Sequence, residues 1–435
     1  MTASTRLSCR SAAVTGTQTG RFAALKAPLY RRYWLGSIGS VGATQLVMMA
    51  MSWLVFALSG SPADLAMLGV AASLPTIIVV LVGGVVADRL DRRRIMMVTA
   101  PLSALLMATL ALLDAGGAVE VWHVWAIAAL FATVAGFDWP AWQSLFPLLI
   151  ERRYMVSAVS LNAMLWQGSR MVMPGVGGFI IAVFSTAAVF GIAAAGFLIM
   201  FAVIASLRVR ATARSSHNAL RAFAEGVRFI AGNRLFYVLI PLSYTVMFFS
   251  MSYLQIMPLF TERLGVGADA FGLLIAASGL GSVAGTLGTA SLQGSPRLGP
   301  IMLGSAIAAA TIQLVFCAVT KWYAGAAWAY AAAALCVSAT AALTSVFLIA
   351  SMSVLQLAVP EPLRGRVMSI HGITFSMIAL GALFSGTVAE YSGPSAAVAI
   401  GAAVVIAANV GVWMLQPRIR GLRGDSLRGD TVATA

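Results

Sequence analysis

Apolar residues run along this chain in blocks of twenty or more, separated by short polar stretches, almost from end to end. A helix needs roughly 20 mostly apolar residues to cross a hydrocarbon core about 30 Å thick. Twelve blocks meet that requirement: 33–58, 63–87, 95–115, 121–146, 156–183 and 187–207, then 235–260, 268–292, 299–319, 323–350, 365–389 and 393–416. A closed β-barrel would instead alternate apolar and polar positions over segments of about ten residues, and the uninterrupted blocks exclude it. The pattern predicts an all-α polytopic membrane protein with twelve transmembrane helices.

The longest polar connection, 208–234, divides the blocks six and six. The expected organisation is therefore a tail (1–32), a six-helix bundle (33–207), a linker (208–234), a second six-helix bundle (235–416) and a tail (417–435). Within the linker Leu220, Phe223, Val227 and Ile230 recur at helical spacing, with Arg221, Glu225 and Arg228 on the other face. That is the pattern of an amphipathic helix lying along the membrane surface.

Composition agrees with the pattern. The chain is 60% hydrophobic and 10% charged, where a soluble domain is about a quarter charged. A net charge of +14 signals nucleic-acid binding only when the basic residues gather on one folded face; here they sit in short loops between apolar blocks, so no nucleic-acid partner is expected. Their distribution also sets orientation, because cytoplasmic loops carry the excess of Lys and Arg. With the N-terminus inside, 25 of the 28 basic residues are cytoplasmic; Arg263 and Lys321 fall outside and Arg170 lies within a span. Both termini are expected in the cytoplasm of a bacterial inner membrane. The same rule keeps 323–350 a single span, since splitting it would place Arg364, Arg366 and the basic C-tail outside.

The first twenty residues are rich in Ser, Thr and Ala and lack the apolar core of a secretory signal. They read as a disordered cytoplasmic tail; an organelle transit peptide or an early start codon would give the same composition. Cys9, Cys317 and Cys336 show neither metal-ligand spacing nor a disulfide framework and are expected to be packing residues.

The stretch after the second block reads GGVVADRLDRRR. In it Gly84, Asp88, Arg89, Arg92 and Arg93 resemble the Gly-x-x-x-Asp-Arg-x-Gly-Arg-Arg/Lys loop of the major facilitator superfamily. Asp91 stands where the family has its second Gly, and Asp enters a left-handed turn less readily than Gly. Asp88, at the C-terminal end of its helix, opposes the helix dipole and needs a partner elsewhere. The resemblance implies that it docks on the start of the eleventh span, at Arg364, Gly365 and Arg366, and closes the cytoplasmic side. The plainer alternative is a basic loop that only sets topology.

Two further stretches, 146–180 and 354–372, are similar to the bacterial branch that contains the enterobactin exporter and macrolide-efflux proteins. Leu161, Asn162, Pro174, Gly177 and Gly178 carry the first match, although Met173 replaces the branch's Gly before Pro174; Gln356, Pro360, Arg364, Gly365 and Arg366 carry the second. The resemblance implies a substrate site near the midplane and two halves that rock against each other. Small residues at spacings of three and four support close helix approach: Gly36, Gly39 and Ala43 in the first span, Ala277, Gly281 and Gly285 in the eighth.

Two charged residues lie well inside predicted spans, Asp138 and Arg170. Buried charge in a membrane is costly and usually functional or paired. From the loop at Glu151 their Cα depths differ by roughly 9 Å at about 1.5 Å rise per residue. Pro140 favours a kink and a hydrated pocket beside Asp138, with Trp142 on the same face. Asn162, Trp166, Arg170 and Pro174 follow at spacings of four, with Gln167 beside them, as a cavity wall would be. Two readings stand: a fixed Asp138–Arg170 bridge between helices, or a proton taken up by Asp138 while Arg170 tunes that site or meets an anionic substrate group. Tyr244, Tyr253, Gln255 and Gln313 are expected to serve packing or interhelical hydrogen bonds, and His371 to be an interfacial residue.

Three histidines, none beside a span-buried acid or nucleophile, and no phosphate-binding loop argue against an enzyme or an ATP-driven pump. No cofactor or metal is expected. The sequence predicts a monomeric secondary transporter that exports a small hydrophobic or amphiphilic compound, a siderophore or a drug, against proton influx. A passive uniporter or an importer is the alternative; a non-transporting receptor of this fold would be expected to append a soluble sensory domain.

Overall fold

The computed structural model describes residues 22–87, 91–207, 219–289 and 295–423. Cys9, Asp88, Arg89, the first part of the linker and the C-terminal stretch from 424 lie outside them. The first half comprises α1 (Pro28–Ser59), α2 (Pro62–Ala87), α3 (Arg92–Ala115), α4 (Val121–Leu145), α5 (Met155–Val183) and α6 (Thr186–Ser206). Then come α7 (Ala219–Gly232) in the linker, α8 (Arg234–Ser250), α9 (Met257–Arg263), α10 (Ala268–Gly288), α11 (Leu298–Trp322), α12 (Ala329–Ala358), α13 (Glu361–Gly372), α14 (Met377–Ser392), α15 (Pro394–Leu415) and the short α16 (Pro417–Arg420). Ten helical segments among the described residues are long and apolar enough to cross a membrane; α2 and α5, of 26 and 29 residues, pack among them. The fold is an all-α polytopic membrane bundle.

Helix boundaries differ from the apolar blocks where local chemistry intervenes. Helix α1 begins at Pro28, earlier than the expected 33, because Tyr30 and Tyr33 are fully buried and the Tyr30 hydroxyl donates to the carbonyl of Ala158, 3.0 Å away. The seventh block is broken after Ser250: Pro258 stands in the first turn of α9, where its missing N–H costs nothing, and its ring bars a helix running in from before. The eleventh is broken between α13 and α14, where the Thr374 hydroxyl takes the carbonyl of His371 and the chain makes a 3-10 turn. Asp91 takes extended dihedrals and accepts from the Arg93 N–H at 3.0 Å, so it serves as the N-cap of α3. The turn the family builds with Gly is here a capped helix start.

Hydrophobic packing differs at the two ends of the bundle. At the end remote from the termini one core crosses both halves, joining Leu46, Met49 and Phe190 with Phe260, Phe271 and Phe316. Towards the termini, among the described residues, the cores of the halves are separate. One lies within the first half, around Tyr30, Trp142 and Leu161; the other lies within the second, around Phe236, Met302 and Phe347.

Helix α7 packs on the second half. Gly226 is buried against Ile370 and Arg366 of α13, and Phe229 and Ile230 join that half's core. Val227 is exposed, and the Leu220 and Phe223 side chains lie outside the described set. Glu225, expected on the polar face, bridges to Arg366. The inward face is therefore rotated from the stripe read in the sequence, because a glycine allows the closest approach there.

Candidate functional site

Helix α4 runs unbroken through Pro140 and carries Asp138 into the interior of the first half. The Asp138 carboxylate accepts a hydrogen bond of 2.5 Å from the Thr99 hydroxyl on α3. Beside it lies a cavity of about 100 Å³, whose wall includes Ser40, Thr44, Ser103, Trp139, Trp142 and Trp166. The Trp139 and Trp142 rings stack with centroids 5.6 Å apart, and Trp166 meets both edge-on at 4.9 and 5.9 Å. The indole N–H groups of Trp142 and Trp166 and the amide nitrogen of Asn162 are buried with no hydrogen-bond partner among the described residues. The two orphan indole donors line the same cavity as the carboxylate, a polar pocket suited to water, which needs two to four such partners. Tyr33 donates to the carbonyl of Trp142 at 3.2 Å and Trp34 to that of Leu161 at 3.3 Å, fixing α1 against the pocket wall.

Arg170 faces elsewhere. No ion pair joins it to Asp138, and among the described residues it makes no hydrogen bond or ion pair. Its carbonyl lies against Gly279 of α10 in the second half. The four-residue stripe thus divides: Trp166 lines the Asp138 pocket, Asn162 is buried against the Tyr30 hydroxyl, and Arg170 and Pro174 belong to the seam with α10. Each step of four advances about 40° around a helix of 3.6 residues per turn, roughly 120° from Asn162 to Pro174. Gln167 is half-buried and lies on the seam side of the helix, next to Pro174 in angle.

At that seam the branch-like residues serve packing. A β-carbon on Gly178 would stand 2.5 Å from the carbonyl oxygen of Ala268 and 3.0 Å from Gly272, and Gly272 in turn lies against the carbonyl of Pro174. Gly279 is held against Arg170 and Met171. The next glycines of α10, Gly281 and Gly285, turn away to α12.

Of the proposed gate, Asp88 and Arg89 lie outside the described residues, and Gly84 is in the last turns of α2. Arg92 opens α3. Arg93 donates to the carbonyls of Ile204 and Ala205 at 3.2 and 2.9 Å, closing the C-terminal end of α6, where a cation is favoured. Arg364 is exposed at the start of α13, with Gly365 on the same helix, and the described partner of Arg366 is Glu225.

Sequence reasoning missed a contact at the opposite end. Glu390, in the last turn of α14, accepts from the N–H of Ala63 at 3.2 Å and the Ser61 hydroxyl at 3.5 Å, at the N-terminus of α2. Beneath it Gly386 lies against Ala66 and the carbonyl of Pro62. A carboxylate three residues before a Gly-Pro pair was the available signal. It shows no partner without the fold.

Two helical halves that, among the described residues, share a core at the end remote from the termini, with charge inside the bundle, fit a membrane transporter of the major facilitator fold. The profile of the transmembrane secretion effector family matches residues 19–426, and the chain belongs to that family within the major facilitator superfamily. It is similar to the multidrug efflux pump Tap of Mycolicibacterium fortuitum, 25% identical over 403 residues that cover 87% of this chain and 93% of Tap. The enterobactin exporter EntS of Shigella flexneri is 24% identical over 291 residues, 66% of this chain and 67% of EntS. The uncharacterized transporter YfiS of Bacillus subtilis is 26% identical over 200 residues, 45% of this chain and 47% of YfiS, so the chain spans about half of that relative. Among solved structures, a bacterial homologue of the lysosomal transporter Spinster, inward-facing and unoccupied, superposes with TM-score 0.65 at 15% identity, over 94% of this chain and 99% of that one. That likeness concerns the fold.

Proposed function

We propose that this protein is a proton-driven exporter of a small hydrophobic or amphiphilic compound, a siderophore or a drug, in a bacterial inner membrane with both termini in the cytoplasm. The observation that carries the reading is the one shared core remote from the termini set against two separate cores towards them. Such packing suits a state closed outside and parted inside, one limb of alternating access. Export direction draws on the family description and on the names of Tap and EntS.

Asp138 is the coupling carboxylate in this reading. It lies inside the first half, away from the α5–α10 seam, with a neutral partner in Thr99 and orphan donors nearby. A carboxylate so placed takes and releases protons through water without competing directly with bulky cargo. The cavity beside it, about 100 Å³, is well below the ~300–1,000 Å³ of a drug-sized site, which fits a proton site better than a cargo site.

The test is transport in proteoliposomes under an imposed pH gradient, screening siderophores, macrolides and cationic drugs. Asp138→Asn should insert and accumulate normally and lose at least about tenfold in gradient-driven transport, the scale of a lost acid–base group. Undiminished gradient dependence in that variant eliminates Asp138 as the coupling group. Transport by the wild type that ignores the gradient identifies a uniporter instead.

A further inference from the structure

We infer that Arg170 binds an oxyanion of the transported molecule, a carboxylate or a comparably compact acidic group. The inference rests on the transporter reading above but not on its coupling ion. A guanidinium stays protonated in proteins, and its charge at the centre of a span costs about 2.5–3.5 kcal/mol even on insertion scales. Such a charge is normally matched. Asp138, the other charge deep in the first half, is engaged by Thr99 on the pocket side, and no described carboxylate reaches Arg170.

Position completes the argument. The tight α5–α10 seam runs from Gly178 against Ala268 and Gly272, through Pro174, to Arg170 and Met171 against Gly279. Beyond that point α10 turns its glycines to α12, and the cores of the two halves separate. Arg170 therefore stands where the halves part, held by one and facing the other. An anion bound there meets groups from both halves, and rocking changes those groups, which is how a substrate can be held on one side and released on the other. A cation at the same place meets like charge, and a neutral molecule leaves the guanidinium unmatched. The guanidinium fork also suits a carboxylate, to which it donates two parallel hydrogen bonds.

The experiment compares three probes of one shape on the full-length protein in lipid nanodiscs without any gradient: 2-naphthoate, 2-naphthylmethylammonium and 2-naphthylmethanol, titrated calorimetrically. The naphthoate is expected to bind at least about tenfold tighter than either neighbour, the loss of a charge-assisted pair being worth that much. Arg170→Gln should abolish the preference and Arg170→Lys should keep part of it. Equal binding of the three probes by the wild type, or a preference that survives Arg170→Gln, overturns the inference; so does an Arg170→Lys protein, eluting and melting as the wild type does, whose preference is unchanged. If the anion preference depends on Arg170 while gradient-driven transport fails in proteoliposomes, the anion site stands and the coupling reading falls.

Discussion

Gly178 shows how much one hydrogen atom decides in this molecule. A methyl group there would stand 2.5 Å from the Ala268 carbonyl, a backbone atom that cannot swing aside. Gly178→Ala is therefore expected to push α5 and α10 apart at the end remote from the termini, with an overpacking cost of about 1–3 kcal/mol. Because the strain falls on a contact between halves, it should raise the population of states open at that end, read as faster thiol labelling of a cysteine placed at Ala268, with the thermal midpoint little changed. Gly281→Ala is the contrasting case. Its neighbour is the Ser338 carbonyl within the same half, so that variant should lower the thermal midpoint and leave labelling at Ala268 unaltered. Equal labelling in both variants would show that the α5–α10 seam is not the moving contact. Gly178 was legible from its resemblance to a family motif. Its partner Gly272, and Gly279 further along the seam, were not, because α10 carries small residues on two faces and the spacing of Ala277, Gly281 and Gly285 marks only the face towards α12.

Helices α2 and α14 meet across the halves, and the meeting is held at one end by Glu390 on the N-terminus of α2. Asp64 lies in the same first turn, so that helix end carries two carboxylates. An anion at a helix N-terminus is worth about 0.3–1 kcal/mol when exposed, so Glu390→Gln should shift the closed-to-open ratio at that end by about twofold to fivefold. A spin-label distance distribution between α2 and α14 reads it, and an unchanged distribution in low salt removes Glu390 from the closing contact. The linker supplies a second element contact. With Glu225 bridged to Arg366 and Gly226 against α13, Glu225→Gln should speed hydrogen exchange in the amides of α7 and leave those of α15 unchanged. The sequence revealed that α7 is a helix, since its periodicity is local. It did not reveal which face docks, since a glycine in the packed face adds nothing to an apolar stripe.

The whole molecule is organised by one asymmetry: a core common to both halves at one end and separate cores at the other. The long apolar blocks made an all-α membrane bundle legible, because span length and polar breaks are properties of the chain alone. Which end is shut was not legible, because it depends on contacts between residues hundreds of positions apart, such as Trp53 stacked on Phe271 at 5.5 Å. The asymmetry predicts a lock. In a protein whose native cysteines are replaced, Ser61→Cys and Glu390→Cys should be joined by a short cleavable bis-maleimide reagent in the resting state, since the native Oγ and Oε2 atoms are 3.5 Å apart. If the halves must part at that end for each turnover, the joined protein should lose nearly all transport while still binding substrate from the terminus side, and cleavage of the linker should restore transport. A joined protein that transports at the uncoupled rate would mean that the halves do not separate there, and that cargo crosses by a route other than the seam on which Arg170 stands.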